Sequence, residues 1–220
     1  MSKLIDLSHT VEHGMITYKG LPAPVISDYL SRKDSKTRYA PGTEFHIGKI
    51  EMVANTGTYL DSPFHRYARG KDLAGLDLNS LANVDAIVVR CLDQTEIDEQ
   101  VFNGIDVKDK AVLVHTGWDK HWRTDEYSSG NHPFLTEGAA TYLAKNAATL
   151  VGIDSFNIDA TRDGNRPAHT VLLGHDIPIV EHLCGLAELP DRGFKFFAVP
   201  VKVREFGTFP VRAFGIVTTD

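Results

Sequence analysis

Cysteine is scarce in this 220-residue sequence, and its two cysteines, Cys91 and Cys184, do not lie in a spacing typical of a metal site. We therefore expect free thiols in a reducing compartment and no disulfide framework. An excess of positive charge is also missing, because 23 Lys and Arg face 29 Asp and Glu, for a formal net charge of −6. Since nucleic-acid-binding domains usually present a basic face, this balance argues against a nucleic-acid partner.

Long apolar runs are missing as well. The segment Met1–Asp6 lacks the apolar stretch of a signal peptide, and no segment reaches the length that spans a bilayer. The sequence therefore predicts a cytoplasmic location and no membrane partner. The Gly-x-Ser-x-Gly elbow, the P-loop and the Gly-x-Gly-x-x-Gly motif are also absent, which excludes serine-hydrolase, kinase and dinucleotide-dependent interpretations.

The composition that remains is that of an ordinary globular protein, with 42% hydrophobic and 24% charged residues. At this length we expect one domain over residues 1–220. The β-branched runs at 86–92 and 111–116 predict buried strands, and 3–8 and 150–153 predict shorter ones. Residues 136–146 predict a helix with Thr136 as its N-cap.

The C-terminal third adds two further expectations. Asp176-Ile177-Pro178 is typical of a helix start, so we expect a short helix that carries Glu181 and ends at Gly185. Residues 196–203 and 210–218 predict strands that form a hairpin around Gly207. Many strands with few helices indicate the α/β class, with a β-rich core of mixed strands and a few flanking helices.

The most informative segment spans residues 55–65 and reads Asn-Thr-Gly-Thr-Tyr-Leu-Asp-Ser-Pro-Phe-His. Side chains alternate between the two faces of a strand. The residues that an extended segment would place on one face are Asn55, Gly57, Tyr59 and Asp61. Pro63 is expected to stop the strand just before His65. An amide, a phenol, a carboxylate and an imidazole would then lie close together.

This segment resembles the signature of the metal-dependent cyclase family that includes bacterial kynurenine formamidase and isatin hydrolase, His-x-Gly-Thr-His-x-Asp-x-Pro-x-His. Further blocks in the same order extend the resemblance over most of the chain: residues 6–9, 114–118, 200–202 and 210–213. The resemblance implies the cyclase fold. It also implies a homodimer or homotetramer whose pocket residues are partly supplied across the interface.

The resemblance implies a metal site formed by Asp61, His169 and Glu181. Two carboxylates and one imidazole suit one oxygen-preferring divalent ion, Mn or Zn, with positions left open for water or substrate. A dinuclear centre is not expected, because two histidines of the family signature are replaced here. The family's last signature histidine corresponds to His65, which is implied as the catalytic acid/base.

The replaced histidines correspond to Asn55 and Tyr59. Asparagine offers only a weak carbonyl donor, and tyrosine must lose a proton with a reference pKa of ~10 before it binds a metal. We therefore expect both to contact the substrate or hydrogen-bond the ligands. Tyr18 falls where the family often has an aromatic residue that packs against an aryl substrate.

Together these features imply a metal-assisted hydrolase of an amide C–N bond in a small aryl-formamide or cyclic amide substrate. Two alternatives remain open at this stage. One is a family member that has lost its chemistry and binds a small molecule without metal; the other is a metal-free enzyme that uses His65 and Asp61 as an acid/base pair. Judged singly, Asp61 could cap a turn, and His169 with Glu181 could form a hydrogen-bonded pair in the core.

Overall fold

The computed structural model describes residues 1–162 and 164–218, and these form thirteen β-strands and three α-helices. The strands are β1 (Ser2–Asp6), β2 (Val25–Leu30), β3 (Ile47–Glu51), β4 (Tyr59–Asp61), β5 (Val84–Arg90), β6 (Glu96–Ile97), β7 (Ala111–His115), β8 (Phe134–Leu135), β9 (Leu150–Ile153), β10 (Ile179–Glu181), β11 (Arg192–Phe197), β12 (Thr208–Pro210) and β13 (Phe214–Thr218). The helices are α1 (Arg32–Ser35), α2 (Glu137–Lys145) and α3 (Pro167–Gly174).

Nine strands form one mixed sheet in the order β1-β13-β11-β5-β7-β9-β10-β4-β12. The four central strands β5, β7, β9 and β10 are parallel, and the strands on both flanks are antiparallel. The central strands are buried on both faces, which explains why the sequence of β7 is a continuous apolar run. The predicted α/β class, with mixed strands and a few helices, is confirmed. That residues 1–220 form a single domain stays a prediction.

Apolar side chains pack against both faces of this sheet. Helices α2 and α3 cover one face, where Leu143 and Leu172 meet Val112 and Ile153 of the central strands. The predicted helix α2 is confirmed, and its N-cap Thr136 accepts a hydrogen bond from the backbone of the third helical residue. The site described below lies at the end of the face that carries α3.

The helix expected from Asp176 to Gly185 is wrong, because this segment contains strand β10. Ile179 and Val180 are β-branched, and they pair with β9 on one side and β4 on the other. The sheet therefore overrides the local helix signal at Pro178. The helix instead lies earlier, as α3, which begins at Pro167.

Two other local expectations need correction. Strand β4 is shorter than the extended segment predicted from residue 55, because Gly57 has a φ of 64° and the strand begins only at Tyr59. The strands expected over 196–203 and 210–218 form as β11 and β13 and pair antiparallel, but no tight hairpin forms around Gly207, because the long connection between them contains β12, an edge strand beside β4. Gly207 allows β12 to approach the backbone of His65, since a Cβ there would lie 2.6 Å from His65 Cα.

Strands β2 and β3 form a separate two-stranded sheet on which every residue except Leu30 is exposed. Its exposed apolar side chains include those of Val25, Tyr29 and Ile50. Both cysteines are free thiols, as expected, with Cys91 buried and Cys184 half-buried. No helix among the described residues has the length and apolar character needed to cross a membrane.

Candidate active site

The centre of the site is built by the register of β4 between its two neighbours. Tyr59 lies directly opposite Glu181 of β10, and Asp61 lies directly opposite Thr208 of β12. Because side chains two residues apart share a face of a strand, these pairs meet on the same side of the sheet. The register alone therefore brings a phenol against one carboxylate and a hydroxyl against the other.

Asp61 is fully buried, and its two carboxylate oxygens have different surroundings. Oδ1 accepts a hydrogen bond from the hydroxyl of Thr208. Oδ2 has no hydrogen-bond partner among the described residues, and it lies 3.6 Å from Nε2 of His169. A buried carboxylate oxygen without a partner is costly, so this position favours a bound cation or another donor.

His169 reaches the site from the first turn of α3. Its Nδ1 lies 2.6 Å from Oδ2 of Asp159, and a carboxylate can only accept, so Nδ1 carries a proton. Asp159 also accepts from the backbone N–H groups of Ala168 and His169, which caps the helix and fixes the ring. Nε2 then faces Asp61 and, at 3.8 Å, Oε1 of Glu181. A histidine held by a carboxylate on its far nitrogen is the usual arrangement of a metal ligand.

The charge around His169 favours its protonated form in the cation-free protein. Burial alone lowers the pKa of His169, but the carboxylates of Glu181, Asp159 and Asp61 outweigh it and raise the pKa to about 10. An imidazolium there balances part of the buried negative charge. A divalent cation held by the same groups would replace that proton.

Glu181 is buried at the end of β10 and is more fully hydrogen-bonded than Asp61. Its Oε1 accepts from the backbone N–H of Ile158 at 2.6 Å, and its Oε2 accepts from the hydroxyl of Tyr59 at 2.5 Å. Burial raises the pKa of Glu181, the nearby Asp61 carboxylate adds to this rise, and His169 opposes it. Its Oε1 still faces His169 Nε2, so Glu181 can join Asp61 as a ligand.

Tyr18 and Tyr59 form a pair of buried phenols above Glu181, with their hydroxyl oxygens 2.8 Å apart. Burial and the Glu181 carboxylate raise the pKa of both phenols well above the ordinary value. Both therefore keep their protons and act in hydrogen bonds. The hydroxyl of Tyr18 also lies 2.9 Å from the carbonyl oxygen of Phe156 and 3.1 Å from Nε2 of His182, a buried histidine that sequence analysis left without a role.

His65 follows β4 in a short 3₁₀ turn, Pro63–His65, and its side chain is 36% exposed. Its Nδ1 lies 2.8 Å from the hydroxyl oxygen of Thr208. The single proton of that hydroxyl is used in the hydrogen bond to Asp61, so the hydroxyl oxygen must accept a hydrogen bond from Nδ1 of His65. The neutral ring is thereby held with Nδ1 protonated and Nε2 carrying the lone pair.

These groups fit a divalent cation. Asp61, His65 and His169 each offer one ligand atom, and the three atoms lie within 4.8 Å of one another. The unpartnered oxygen of Asp61 and the oriented Nε2 of His169 are the two best-prepared donors, and a mixed set of oxygen and nitrogen donors suits Mn or Zn.

The site opens into a cavity of about 390 Å³. Six of the seven residues predicted from the sequence line it: Tyr18, Asn55, Tyr59, His65, His169 and Glu181. The seventh, Asp61, is fully buried beside His169 and is not among the residues that line the cavity. Sequence reasoning missed Thr208 and Asp159. Thr208 carries no local signal, whereas Asp159 could have been suspected as a cap for the helix that begins at Pro167.

Comparisons with known proteins agree with this geometry. The Cyclase family model matches residues 5–160. The chain is similar to kynurenine formamidase of Bacillus cytotoxicus, with 29% identity over 96% of each chain, and to that of Bacillus anthracis, with 26% identity over the same shares.

Among solved structures, an isatin hydrolase A from Labrenzia aggregata, bound to benzyl benzoate, superimposes with a TM-score of 0.84 at 20% identity, covering 99% of this chain and 94% of that one. A potential metal-dependent hydrolase with cyclase activity gives a TM-score of 0.81 at 23% identity over the full length of both chains. These neighbours share the fold. The resemblance found in the signature segment is confirmed, and the chain belongs to the cyclase family.

Proposed function

We propose that this protein is a metal-dependent hydrolase that cleaves the amide C–N bond of a small aryl-formamide or cyclic amide substrate. The relatives named kynurenine formamidase and the fold shared with isatin hydrolases support this reaction class. The observation that carries the proposal is the buried Asp61 oxygen without a partner, which faces the oriented Nε2 of His169 beside His65.

Asp61, His169 and Glu181 would hold one cation, Mn or Zn. Such an ion polarises a carbonyl and lowers the pKa of water to near neutrality. A second ion is not expected, because Tyr59 keeps its proton and donates a hydrogen bond to Glu181. Asn55, the other replacement, lines the pocket and contributes only an amide.

His65 acts as the general acid/base. Its Nε2 takes a proton from the attacking water while a C–O bond forms to the substrate carbonyl carbon. The same nitrogen then donates that proton to the departing nitrogen as the C–N bond breaks, which yields a carboxylic acid and an amine. The imidazolium formed in between is stabilised through Thr208, which links Nδ1 of the ring to the Asp61 carboxylate.

The phenols orient the substrate. Tyr18 lines the pocket with its ring against Phe156, at 4.7 Å between ring centroids, and gives the wall of the cavity an aromatic surface for an aryl group. Tyr59 and Asn55 offer hydrogen bonds beside it. These roles follow from their position around the cavity.

The alternative of a family member that binds a small molecule without metal is not favoured. Such a protein would have no need to bury Asp61 and Glu181 around the same nitrogen of His169, since buried like charges are costly without a cation between them. The cytoplasmic location and the homo-oligomer also belong to the proposal. The exposed apolar side chains of the separate β2–β3 sheet support an interface with another copy, because an isolated two-stranded sheet is marginally stable.

The substitution His65→Asn tests the proton-transfer role. We expect kcat for hydrolysis of formanilide to fall by about 100-fold to 10,000-fold, because general acid/base catalysis contributes that much. The cation content should stay at one per chain by elemental analysis. His175→Asn, which removes an exposed histidine at the end of α3, is the control. Wild-type turnover in the His65 variant would refute the assignment, and loss of the cation would make His65 a ligand.

Cation binding should release protons. Because the pKa of His169 is about 10 without the cation, the ring is protonated at pH 7 and must lose that proton to bind. Titration calorimetry with MnCl₂ in two buffers of different ionisation enthalpy should give one ion per chain and at least one proton released. The apparent affinity should rise by about tenfold or more per pH unit between pH 6 and 8. Two bound ions, or binding that is independent of pH, would contradict the assignment.

Thr208 is tested by a pair of substitutions. Thr208→Val removes the hydroxyl between Asp61 and His65, so kcat should fall by about 10-fold to 100-fold, as for other residues that orient catalytic groups. Thr208→Ser keeps the hydroxyl and should restore most of the activity. The measurement is kcat and KM for formanilide hydrolysis, and the loss in the valine variant should fall on kcat. Equal activity in both variants would remove Thr208 from the mechanism.

A further inference from the structure

An arginine stands at the mouth of the cavity, directly after the proposed acid/base. Arg66 is exposed, lines the cavity and follows the turn that carries His65. No carboxylate among the described residues forms an ion pair with its guanidinium, although such pairs form at Arg90 and Arg162. A charged group at the entrance to a substrate pocket selects for ligands of opposite charge.

The Arg66 side chain is held in place by uncharged neighbours. Its Nε donates to the hydroxyl of Thr170 at 3.3 Å, and its guanidinium lies over the ring of Tyr67, 5.4 Å from the centroid. The hydroxyl of Tyr67 in turn donates to the backbone carbonyl of Thr170 at 2.8 Å. These contacts use only one edge of the guanidinium. They leave its terminal N–H groups available for the planar, two-bond contact that guanidinium makes with a carboxylate.

The position of these contacts ties Arg66 to the site. Thr170 is the residue after His169 on α3, so the guanidinium is fixed beside the helix that supplies a ligand. A second arginine, Arg166, also lines the cavity, and its Nη1 donates to the carbonyl oxygen of Ala160. The entrance thus carries guanidinium groups in a chain whose formal net charge is −6. Positive charge at the entrance of a protein whose net charge is negative favours an anionic ligand.

We propose that Arg66 binds a carboxylate of the substrate, so that the preferred substrates are aryl amides with a carboxylate group remote from the bond that is cleaved. This inference rests on the proposed hydrolysis and names its substrate class. The carboxylate is bound and does not react, so the cleaved bond and the proton transfers remain those described above. Arg66 determines specificity by contact with the substrate.

The test compares formanilide with the 2-, 3- and 4-formamidobenzoates, which add a carboxylate to the same ring. In the wild-type enzyme at least one formamidobenzoate should have a KM about 10-fold to 100-fold below that of formanilide, as expected for a charge-assisted contact. Arg66→Gln should remove this difference and leave the kinetics with formanilide within about twofold. Arg66→Lys should keep part of the KM difference between formanilide and the formamidobenzoates, since lysine keeps the charge and loses the planar contact.

Arg69→Gln is the matched control, because Arg69 is exposed on the same loop and does not line the cavity. It should leave every KM unchanged. Equal KM values for formanilide and all three formamidobenzoates in the wild-type enzyme would overturn the inference. So would a loss in Arg66→Gln that affects formanilide as strongly as the carboxylate substrates.

A binding measurement separates this inference from the proposed function. Calorimetry with 2-, 3- and 4-aminobenzoate, and with aniline as the neutral comparison, requires no turnover. If no formamide is hydrolysed but an aminobenzoate binds in a manner that Arg66→Gln abolishes, the proposed function fails and the carboxylate site stands. If formanilide is hydrolysed but no aminobenzoate binds more tightly than aniline, the function stands and the role of Arg66 fails.

Discussion

The site depends on the contacts of the buried Asp61 carboxylate with Thr208 of β12 and His169 of α3. Burial of a carboxylate is expensive unless every oxygen meets a donor or a cation. Strand β12 supplies a donor to one oxygen through Thr208, and α3 brings the His169 ring to the other. The same carboxylate therefore links the residue that orients His65 to the group that would hold a cation.

The replacement of two signature histidines changes the hydrogen bonding of the site as well as its ligands. Tyr59 adds a phenol proton next to Glu181, where an imidazole would have offered a lone pair. The Glu181 carboxylate thus receives a hydrogen bond on the oxygen that faces away from His169. One cation would balance the charge of the buried carboxylates while Tyr59 donates a hydrogen bond to Glu181, which is why the proposed centre is mononuclear.

The sequence anticipated those parts of the fold whose signals are local. Helix α2 was predictable because Thr136 caps it and its alanines and leucine recur at helical spacing. Strand β10 was not, because Asp176-Ile177-Pro178 mimics a helix start and only pairing with β9 and β4 decides otherwise. Helix α3 was missed because the carboxylate that caps it, Asp159, lies upstream of the N-cap position, which Arg166 occupies without a side-chain capping hydrogen bond.

The same distinction holds within the site. The resemblance to the family implied Asp61, His169 and Glu181 as ligands, and both carboxylates face the same His169 nitrogen, at 3.6 and 3.8 Å. Thr208 could not be selected, because its importance arises only from the register of an edge strand against β4. Catalytic roles for these residues remain predictions that the geometry supports.

Anomalous diffraction from crystals equilibrated with Mn or Zn tests the central claim most directly. The account predicts one strong peak per chain, within ligand distance of Asp61 Oδ2 and His169 Nε2 and adjacent to Glu181. A peak elsewhere, no peak at all, or a second peak of equal height beside Tyr59 would contradict it.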